Sequence, residues 1–297
     1  MTPASRTHAR RQLTFPALFV LLWSTGFIAA KYGLPYAPPL TFLCYRFLLV
    51  AALMGIVCVV TRAPSPGNAR QILHIAVAAW LVHGAYLGGV FVALSGGMAA
   101  GTVSMLVGLQ PLVTVLLARG WLGERVTPRQ WVGLLLGLAG VWLVVWHKVS
   151  FAEDAAGMWS TAVALLGISV GTLYQKRYCA RVDLRSGAVV QFVACAIVYV
   201  PLALLLEHEP VRWTGAFVFA LGWSVLVLSV GAISLLYWLL RHGAAANVAR
   251  LFYLVPPFTA VMAYLMFGET LGLPALAGMA LIAFAVALSR SAEPRPG

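Results

Sequence analysis

Ten stretches of mainly apolar residues, separated only by short loops, constrain the fold of this chain more than any other feature. A helix needs about 20 such residues to cross the hydrocarbon core of a membrane. Each stretch is close to that length, so we predict an all-α integral membrane protein with ten transmembrane helices. The predicted helices are 13–32, 40–60, 72–94, 98–118, 127–146, 158–175, 186–206, 216–240, 245–267 and 271–289.

Positive charge is distributed unevenly among the loops, and this bias sets the predicted orientation. With the N-terminus in the cytoplasm, fifteen of the 20 Lys and Arg residues fall on the cytoplasmic side. Three fall outside (Lys31, Lys148 and Arg212) and two within helices (Arg46 and Arg250). The positive-inside rule therefore places both the N- and C-termini in the cytoplasm. The expected location is a bacterial inner membrane. Basic residues spread over every cytoplasmic turn form no single nucleic-acid-binding face, although the net charge is +12.

The chain repeats itself at an offset of 145 residues without a gap. Each copy contains five predicted helices, an odd number, so the second copy enters the membrane with the opposite orientation. Such inverted repeats are characteristic of secondary transporters, in which two halves rock about a site near the midplane. A duplication kept only for packing is the alternative. The matched pairs include Lys31 and Lys176, Ala99-Ala100 and Ala244-Ala245, Pro111 and Pro256, Gly123-Glu124 and Gly268-Glu269, and Gly133 and Gly278.

The repeat divides the chain into predicted regions. The first repeat is 13–146 and the second is 158–289, joined by a linker at 147–157. Cytoplasmic tails are predicted at 1–12 and 290–297.

Two long stretches resemble a known family. Residues 23–47 read WSTGFIAAKYGLPYAPPLTFLCYRF, and 91–144 contain small residues, a Gln-Pro helix, a Gly-Glu-Arg turn and a glycine-rich helix. They resemble the EamA family of the drug/metabolite transporter superfamily. The second copy matches more loosely, because Thr270 follows Glu269 in place of arginine. The resemblance implies two inverted five-helix repeats and export of amino acids or other small metabolites. Within that family, the sequence resembles the YddG-type exporters, which are linked to aromatic amino acids.

Polar side chains within the predicted helices are candidates for a substrate cavity, because they are costly in hydrocarbon. The resemblance places the first, third, fourth, sixth, eighth and ninth helices around that cavity. Trp23 could stack on a ligand or anchor the helix at the interface. His83 shares a helix face with Tyr86 and could line the cavity or hydrogen-bond within the bundle. The predicted cavity residues are Trp23, Ser24, His83, Tyr86, Ser104, Gln110, Thr172, Gln175, Tyr237, Trp238, Asn247 and Arg250.

Two arginines lie within predicted helices. The Arg250 guanidinium could hold a substrate carboxylate through two hydrogen bonds. For Arg46 we favour a structural role, since the family pattern has an arginine near that position, paired with backbone carbonyls or extended to the interface.

Prolines occupy equivalent positions in the fourth and ninth helices, at Pro111 and at Pro256-Pro257. Proline removes a backbone hydrogen bond and bends a helix. Paired bends predict hinges, and a static bend that only shapes the bundle is the alternative.

All eight carboxylates lie in loops or near helix ends. Proton-driven pumps commonly use membrane-embedded carboxylates as relays. We therefore predict a neutral or zwitterionic substrate moved without a carboxylate-based proton couple, with His83 as the only plausible titrating relay. The four cysteines form no C-x-x-C pair, and no metal site or cofactor is predicted.

The predicted function is export of amino acids, including aromatic and other neutral ones, by alternating access through a central cavity. The expected partners are a small-molecule substrate and the lipid bilayer, and the protein is expected to be monomeric. Export of lipophilic drugs or another small metabolite, and flipping of a lipid-linked sugar, are the alternatives. A membrane enzyme is disfavoured, because the sequence has no H-E-x-x-H or G-x-S-x-G motif and no buried pair of carboxylates. A channel is disfavoured because no pore loop repeats.

Overall fold

The computed structural model describes residues 3–121, 127–145, 155–242, 248, 251–269 and 272–288. Within these ranges the chain forms helices and short turns, without a strand. We number the helices in chain order. They are α1 (Pro3–Gly33), α2 (Pro39–Val60), α3 (Ala69–Ser95), α4 (Ala100–Trp121), α5 (Pro128–Val145), α6 (Ala155–Tyr178), α7 (Leu184–Leu206), α8 (Gly215–Arg241), α9 (Phe252–Phe267) and α10 (Leu273–Leu288).

Seven of these helices, α1 to α4 and α6 to α8, are long and apolar enough to cross a membrane. The described apolar parts of α5 and α9 are shorter (Trp131–Gly140 and Phe252–Phe267), and α10 has 16 residues. The prediction of an all-helical, multi-pass membrane protein is confirmed. The largest difference from the predicted boundaries is at the N-terminus, where α1 begins at Pro3 and includes most of the predicted tail. Alanine, arginine and glutamine in that tail favour helix.

Helices with the closest contacts meet through glycine. A Cβ atom at Gly89 of α3 would lie 2.2 Å from the backbone oxygen of Ser160 in α6. A Cβ at Gly167 of α6 would lie 2.8 Å from the backbone oxygen of Leu81. Small residues let membrane helices approach closely, where packing and not hydrophobic burial drives association. On the outer surface, large apolar side chains such as Ile197 and Leu204 are exposed, as lipid contact requires.

The packed helix pairs follow a regular pattern. Helix α2 packs on α7, α5 on α10 and α4 on α9. The α3–α6 contact is matched by α1–α8, the α4–α6 contact by α1–α9, and the α3–α7 contact by α2–α8. When each helix is exchanged with the helix five places before or after it in the chain, the same set of contacting pairs is obtained. A pseudo-twofold arrangement of two similar halves has this property.

Helical irregularities also recur at the repeat offset. Residues Trp80–Ala85 of α3 and Ser224–Ala232 of α8 form π-helix, and adding 145 to 80–85 gives 225–230. In α4 the helix is interrupted between Val107 and Gln110. In α9 a 3₁₀ turn at Phe252–Leu254, again offset by about one repeat, precedes the α-helical part. Pro111 and Pro256 each follow the interruption at the second helical position, where proline is well accommodated.

Candidate substrate cavity

A cavity of about 30 Å³ lies in the middle of the bundle between α1, α2, α3 and α8. Its walls are mostly apolar and aromatic. Three of the helices precede the repeat boundary and one follows it, so both halves of the sequence contribute. The lining residues are Trp23, Gly26, Phe27, Arg46, Tyr86, Leu87, Val90, Phe91, Leu228, Ala232 and Ile233.

Trp23 and Tyr86 form a rigid aromatic wall of the cavity. The indole N–H of Trp23 donates to the Tyr86 hydroxyl at 3.0 Å. The two rings are nearly parallel, at 15° with centroids 5.9 Å apart. Phe19 and Phe252 pack against Trp23 at 5.1 and 5.2 Å. An indole held in this way offers a fixed flat surface to an apolar or aromatic ligand.

Arg46 of α2 brings a cation to the same cavity. The residue is only 3% exposed, and its Nε–H donates to the Ser229 hydroxyl at 2.9 Å. That hydroxyl donates in turn to the Ser224 backbone oxygen at 3.0 Å, within the π-helical part of α8. The two ion pairs among the described residues are Lys31–Glu269 and Arg185–Asp183, so no described carboxylate pairs with Arg46.

The expectation that Arg46 pairs with backbone carbonyls or extends to the interface does not match this geometry. Sequence reasoning placed Arg46 outside the cavity because an arginine near this position is a feature of the family pattern. The useful signal was present, namely a lone cation in an otherwise apolar helix.

A buried polar cluster lies beside the cavity. His83 Nε2 is 3.2 Å from Gln191 Oε1, and the Tyr237 hydroxyl donates to that oxygen at 3.1 Å. Tyr237 is also 3.5 Å from His83 Nε2, and Gln191 Nε2 donates to Gln175 Oε1 at 3.1 Å. The His83 ring stacks on Phe192 at 4.6 Å. The structure thus brings together His83, Gln175 and Tyr237, and adds Gln191, which sequence reasoning missed.

The cluster separates the cavity from one end of the bundle. His83 lies one helical turn before Tyr86 in α3, and Tyr237 lies one turn after Ile233 in α8. Both therefore lie nearer to the end that carries Asp183, which we call the Asp183 end. Gln175, Gln191 and Tyr237 also line a second, smaller pocket at this end of the bundle.

Asp183 and Arg241 stand at the mouth of this second pocket. Arg185 donates from both its side chain and its backbone N–H to the Asp183 carboxylate, and these hydrogen bonds hold the pKa of that carboxyl below its usual range. The Arg241 guanidinium donates to the backbone oxygen of Val182. Charged side chains thus surround the entrance, whereas amides and hydroxyls line its depth.

At the opposite end, Glu269 joins three helices. Gly268 ends α9 with a φ of +67°, a left-handed conformation that glycine adopts readily. The Glu269 carboxylate then accepts the backbone N–H groups of Ala100 and Gly101, at 3.0 and 3.2 Å, at the start of α4. It also pairs with the Lys31 ammonium of α1 at 2.5 Å. We call this set of four residues, Lys31, Ala100, Gly101 and Glu269, the Glu269 lock.

The lock has a simple electrostatic basis. The first N–H groups of a helix lack partners within it and carry a partial positive charge. Ala99, which precedes α4, provides no side-chain cap. Glu269 supplies that cap from another helix, so separating α9 from α4 would expose both charge and N–H groups.

Several predicted cavity residues lie elsewhere in the bundle. The Ser24 hydroxyl bonds to backbone oxygens of Val20 and, across to α9, Val255. Ser104 and Thr172 hydroxyls bond within their own helices. None of these three residues lines the central cavity.

Of the remaining predicted cavity residues, two lie within the described part of the chain and two lie outside it. Gln110 is buried, and its Oε1 has no partner among the described residues. Trp238 packs edge-on against Phe15 at 4.9 Å. Asn247 and Arg250 lie outside the described residues, as does Glu124 of the first Gly-Glu turn. The described part of the chain contains no cluster of three metal-binding side chains.

A multi-pass helical bundle around a small central cavity is one architecture that membrane transporters adopt. A sequence model of the EamA-like transporter family matches residues 13–146 and again residues 155–291, and the chain belongs to that family. It is a transporter and not an enzyme.

Known proteins similar over most of this chain include two uncharacterized transporters. YvbV of Bacillus subtilis strain 168 is 26% identical over 92% of this chain and 89% of its own length. The inner membrane transporter YedA of Escherichia coli strain K12 is 25% identical over 92% of this chain and 89% of its own length. A solved crystal structure superposes with a TM-score of 0.74, covering 93% of this chain and 95% of that one, at 21% identity. At that identity the likeness shows the fold alone.

A relative with a more specific name matches a smaller share of the chain. A probable terminal-alkyne amino-acid exporter of Streptantibioticus cattleyicolor is 31% identical over 61% of this chain and 61% of its own length.

Proposed function

We propose that this transporter exports amino acids, including aromatic and other neutral ones, across the bacterial inner membrane. The observation that carries the proposal is the central cavity, which is formed by helices from both repeats and whose described lining residues include an aromatic wall and the Arg46 guanidinium. At about 30 Å³ the cavity is far smaller than typical small-molecule sites of about 300–1,000 Å³, so it has to widen to admit a substrate. The name of the Streptantibioticus relative agrees with an amino acid as substrate.

The proposed scaffold is ten membrane-spanning helices in two inverted repeats, with both termini in the cytoplasm. The repeat offset of 145 residues supports it, as do the helix pairs that remain unchanged under exchange of the two halves. The π-helical segments of α3 and α8 and the interruptions of α4 and α9 recur at the same offset. In this orientation the Glu269 end faces outward and the Asp183 end faces the cytoplasm.

Alternating access follows from applying the repeat to the Glu269 lock. Adding or subtracting 145 converts Lys31, Ala100 and Glu269 into Lys176, Ala245 and Glu124. We infer that the second set forms an equivalent lock on the cytoplasmic side when the first set opens. The cavity would then face outward and inward in turn.

The interruptions of α4 and α9 are the proposed hinges. A Cβ atom at Gly108 would lie 2.7 Å from the Pro256 ring, so the two helices touch at their interruptions. The nearby Pro111 and Pro257 extend the region in which backbone hydrogen bonds are missing. Rotation at this contact would open one end of the bundle while closing the other.

The inverted topology predicts that the two Gly-Glu turns are labelled from opposite faces of the membrane. Single cysteines would replace Gly123, in the first turn, and Gly272, three residues after Glu269, in a variant without the four native cysteines. A membrane-impermeant maleimide added to intact cells should label the cysteine at 272 and spare the one at 123. In inside-out vesicles the pattern should reverse. Labelling of both sites from the same face would contradict the inverted repeat.

The flux prediction concerns the substrate and the energy source. Purified protein in liposomes should transport labelled phenylalanine and threonine down their gradients, with flux that persists after a protonophore collapses the proton gradient. The physical reason is that no described carboxylate lies in the cavity or the polar cluster to carry a coupled proton. Protein-free liposomes give the leak rate. Flux that vanishes with the proton gradient would reject uncoupled transport, and absence of any amino acid flux would reject the proposed substrates.

A further inference from the structure

Arg46 is the least compensated charge in the described part of the membrane-spanning bundle. A guanidinium in the bilayer interior is costly unless it is paired, and such groups mark ligand or ion pathways. The Nε–H of Arg46 is satisfied by Ser229, but its terminal nitrogens make no hydrogen bond to a described residue. A ligand that supplies a negative charge would offset the cost of burying this guanidinium.

We propose that Arg46, oriented by Ser229, binds the carboxylate of the substrate, and that the substrates are small monocarboxylates with a flat apolar body. Aromatic amino acids belong to this class. The inference rests on the proposed transport function, and it names the group that the cavity recognises.

The geometry favours a carboxylate over other anions. A guanidinium presents two parallel N–H groups that match the two oxygens of a carboxylate. The Ser229 hydroxyl accepts from Nε while donating to the Ser224 carbonyl, so the guanidinium has a defined orientation. That carbonyl belongs to the π-helical part of α8, and π-helical turns occur frequently at functional sites.

The rest of the cavity suits the apolar body of the substrate. Trp23 and Tyr86 provide a flat wall, and Phe27 and Phe91 complete the aromatic lining. None of the described residues that line the cavity carries a carboxylate, so an amine without an acid group would meet Arg46 uncompensated. The cavity therefore discriminates against the organic cations that many drug exporters would need to bind.

Ligand chemistry tests this inference without any substitution. Three compounds share a phenyl ring and differ in charge: phenylalanine, 3-phenylpropionate and phenethylamine. Binding to purified protein can be followed by titration calorimetry. We expect 3-phenylpropionate to bind with a dissociation constant comparable to that of phenylalanine, and phenethylamine to bind at least about 10-fold more weakly, the effect of one charge-assisted hydrogen bond. Equal binding of all three compounds, or tighter binding of the amine, would overturn the proposal.

Substitution of Arg46 tests whether this residue causes the preference for the acid over the amine. Arg46→Gln should raise the dissociation constant for 3-phenylpropionate roughly 10- to 100-fold, while that for phenethylamine stays unchanged or falls. The matched control is Arg70→Gln, an exposed arginine in the first turn of α3, which should leave both constants unchanged. If Arg46→Gln does not give monodisperse protein, Ser229→Ala retains the charge and should reduce selectivity for the acid by a few fold. An unchanged acid-to-amine ratio in whichever variant folds would overturn the role of Arg46.

Failure of this inference is distinguishable from failure of the proposed function. Phenylalanine flux that is equal in wild type and Arg46→Gln rejects the carboxylate anchor and leaves the transport function in place. Binding of 3-phenylpropionate that depends on Arg46, without any amino acid flux, supports the anchor and rejects amino acids as the transported substrates.

Discussion

Gly89→Leu is expected to prevent formation of the folded, monodisperse protein. At Gly89 even a Cβ atom would lie 2.2 Å from the Ser160 backbone oxygen and 3.0 Å from Ala164, so α3 and α6 would have to separate. Overpacking ordinarily costs about 1–3 kcal/mol, and the cost is higher where the obstacle is backbone that cannot rotate away. A cost near 3 kcal/mol reduces the folded fraction relative to the unfolded one by about 100-fold. Fluorescence-detected size-exclusion chromatography of detergent extracts measures the loss.

The control for this substitution is Gly55→Leu. Gly55 lies in the last third of α2, and a Cβ atom there meets nothing within 4 Å. The added apolar side chain should be tolerated, and the yield should stay within about twofold of wild type. Comparable yields for the two variants would mean that α3 and α6 are not packed in the way the structure shows.

The positions of the helices could be predicted because the bilayer imposes a single strong requirement on length and polarity. The sequence predicts 40–60 for the second helix and 186–206 for the seventh, and the structure has Pro39–Val60 and Leu184–Leu206. The N-terminal extension of α1 was missed for the same reason. A polar helix outside the hydrocarbon does not alter hydropathy, and its propensity signal is weak.

The π-helical segments could not have been predicted from residue pattern. A π turn inserts one residue into a helix without a change of composition, and WLVHGA reads as ordinary apolar helix. Its consequence is a shifted face after residue 85. In the structure Tyr86 lines the central cavity whereas His83 lies in the polar cluster, although their spacing predicts one shared face.

The candidate site could be predicted only in part, because burial in the membrane does not distinguish a cavity wall from a helix interface. Trp23 and Tyr86 line the cavity, but Ser24, adjacent in sequence to Trp23, joins α1 to α9. Hydroxyl side chains often bond to their own helix backbone, and nothing in the sequence marks which of them do so. The sequence predicts two arginines within the membrane. It cannot show that Arg46 borders a cavity, because that depends on how the helices pack in three dimensions.

The Gly-Glu turn illustrates what a repeat can and cannot indicate. Its recurrence at 123–124 and 268–269 marks it as important, and Gly268 is explained by the left-handed backbone at the end of α9. The capping of α4 by this glutamate was not predictable, because the groups it accepts from are backbone N–H groups of another helix. Once one copy is seen, the repeat identifies the candidate partners of the other.

Substitution of Glu269 is expected to shift the protein towards the outward-open state. The carboxylate accepts two backbone N–H groups and pairs with Lys31, and a hydrogen bond to a charged group is worth about 1.5–3 kcal/mol. Losing one such interaction in Glu269→Gln should shift the equilibrium roughly 10- to 100-fold. Glu269→Ala should shift it further. Lys31→Met should shift it least, since the capping of α4 remains.

The shift can be measured from the cavity itself. Gly26 lines the cavity, and a Cβ there makes only ordinary contact with Leu228, so Gly26→Cys is accommodated. In a background without native cysteines, the rate at which an external impermeant thiol reagent modifies this cysteine reports outward opening. The control is Glu209→Gln, which removes an exposed carboxylate at the same end of the bundle and should leave the rate unchanged. An unchanged rate in Glu269→Ala would show that the lock does not hold that end closed.

The inverted repeat adds a second, opposite expectation. If Glu124 forms the equivalent lock on the cytoplasmic face, Glu124→Gln stabilises the inward-open state and slows labelling from outside. Because each glutamate would stabilise only one of the two states, their effects on the equilibrium should have opposite sign and cancel. The double variant Glu124→Gln/Glu269→Gln should then label at a rate near that of the wild type, although each single variant departs from it. If both single substitutions change the labelling rate in the same direction, Glu124 does not form an equivalent lock, and the two ends of the bundle do not open by the same mechanism.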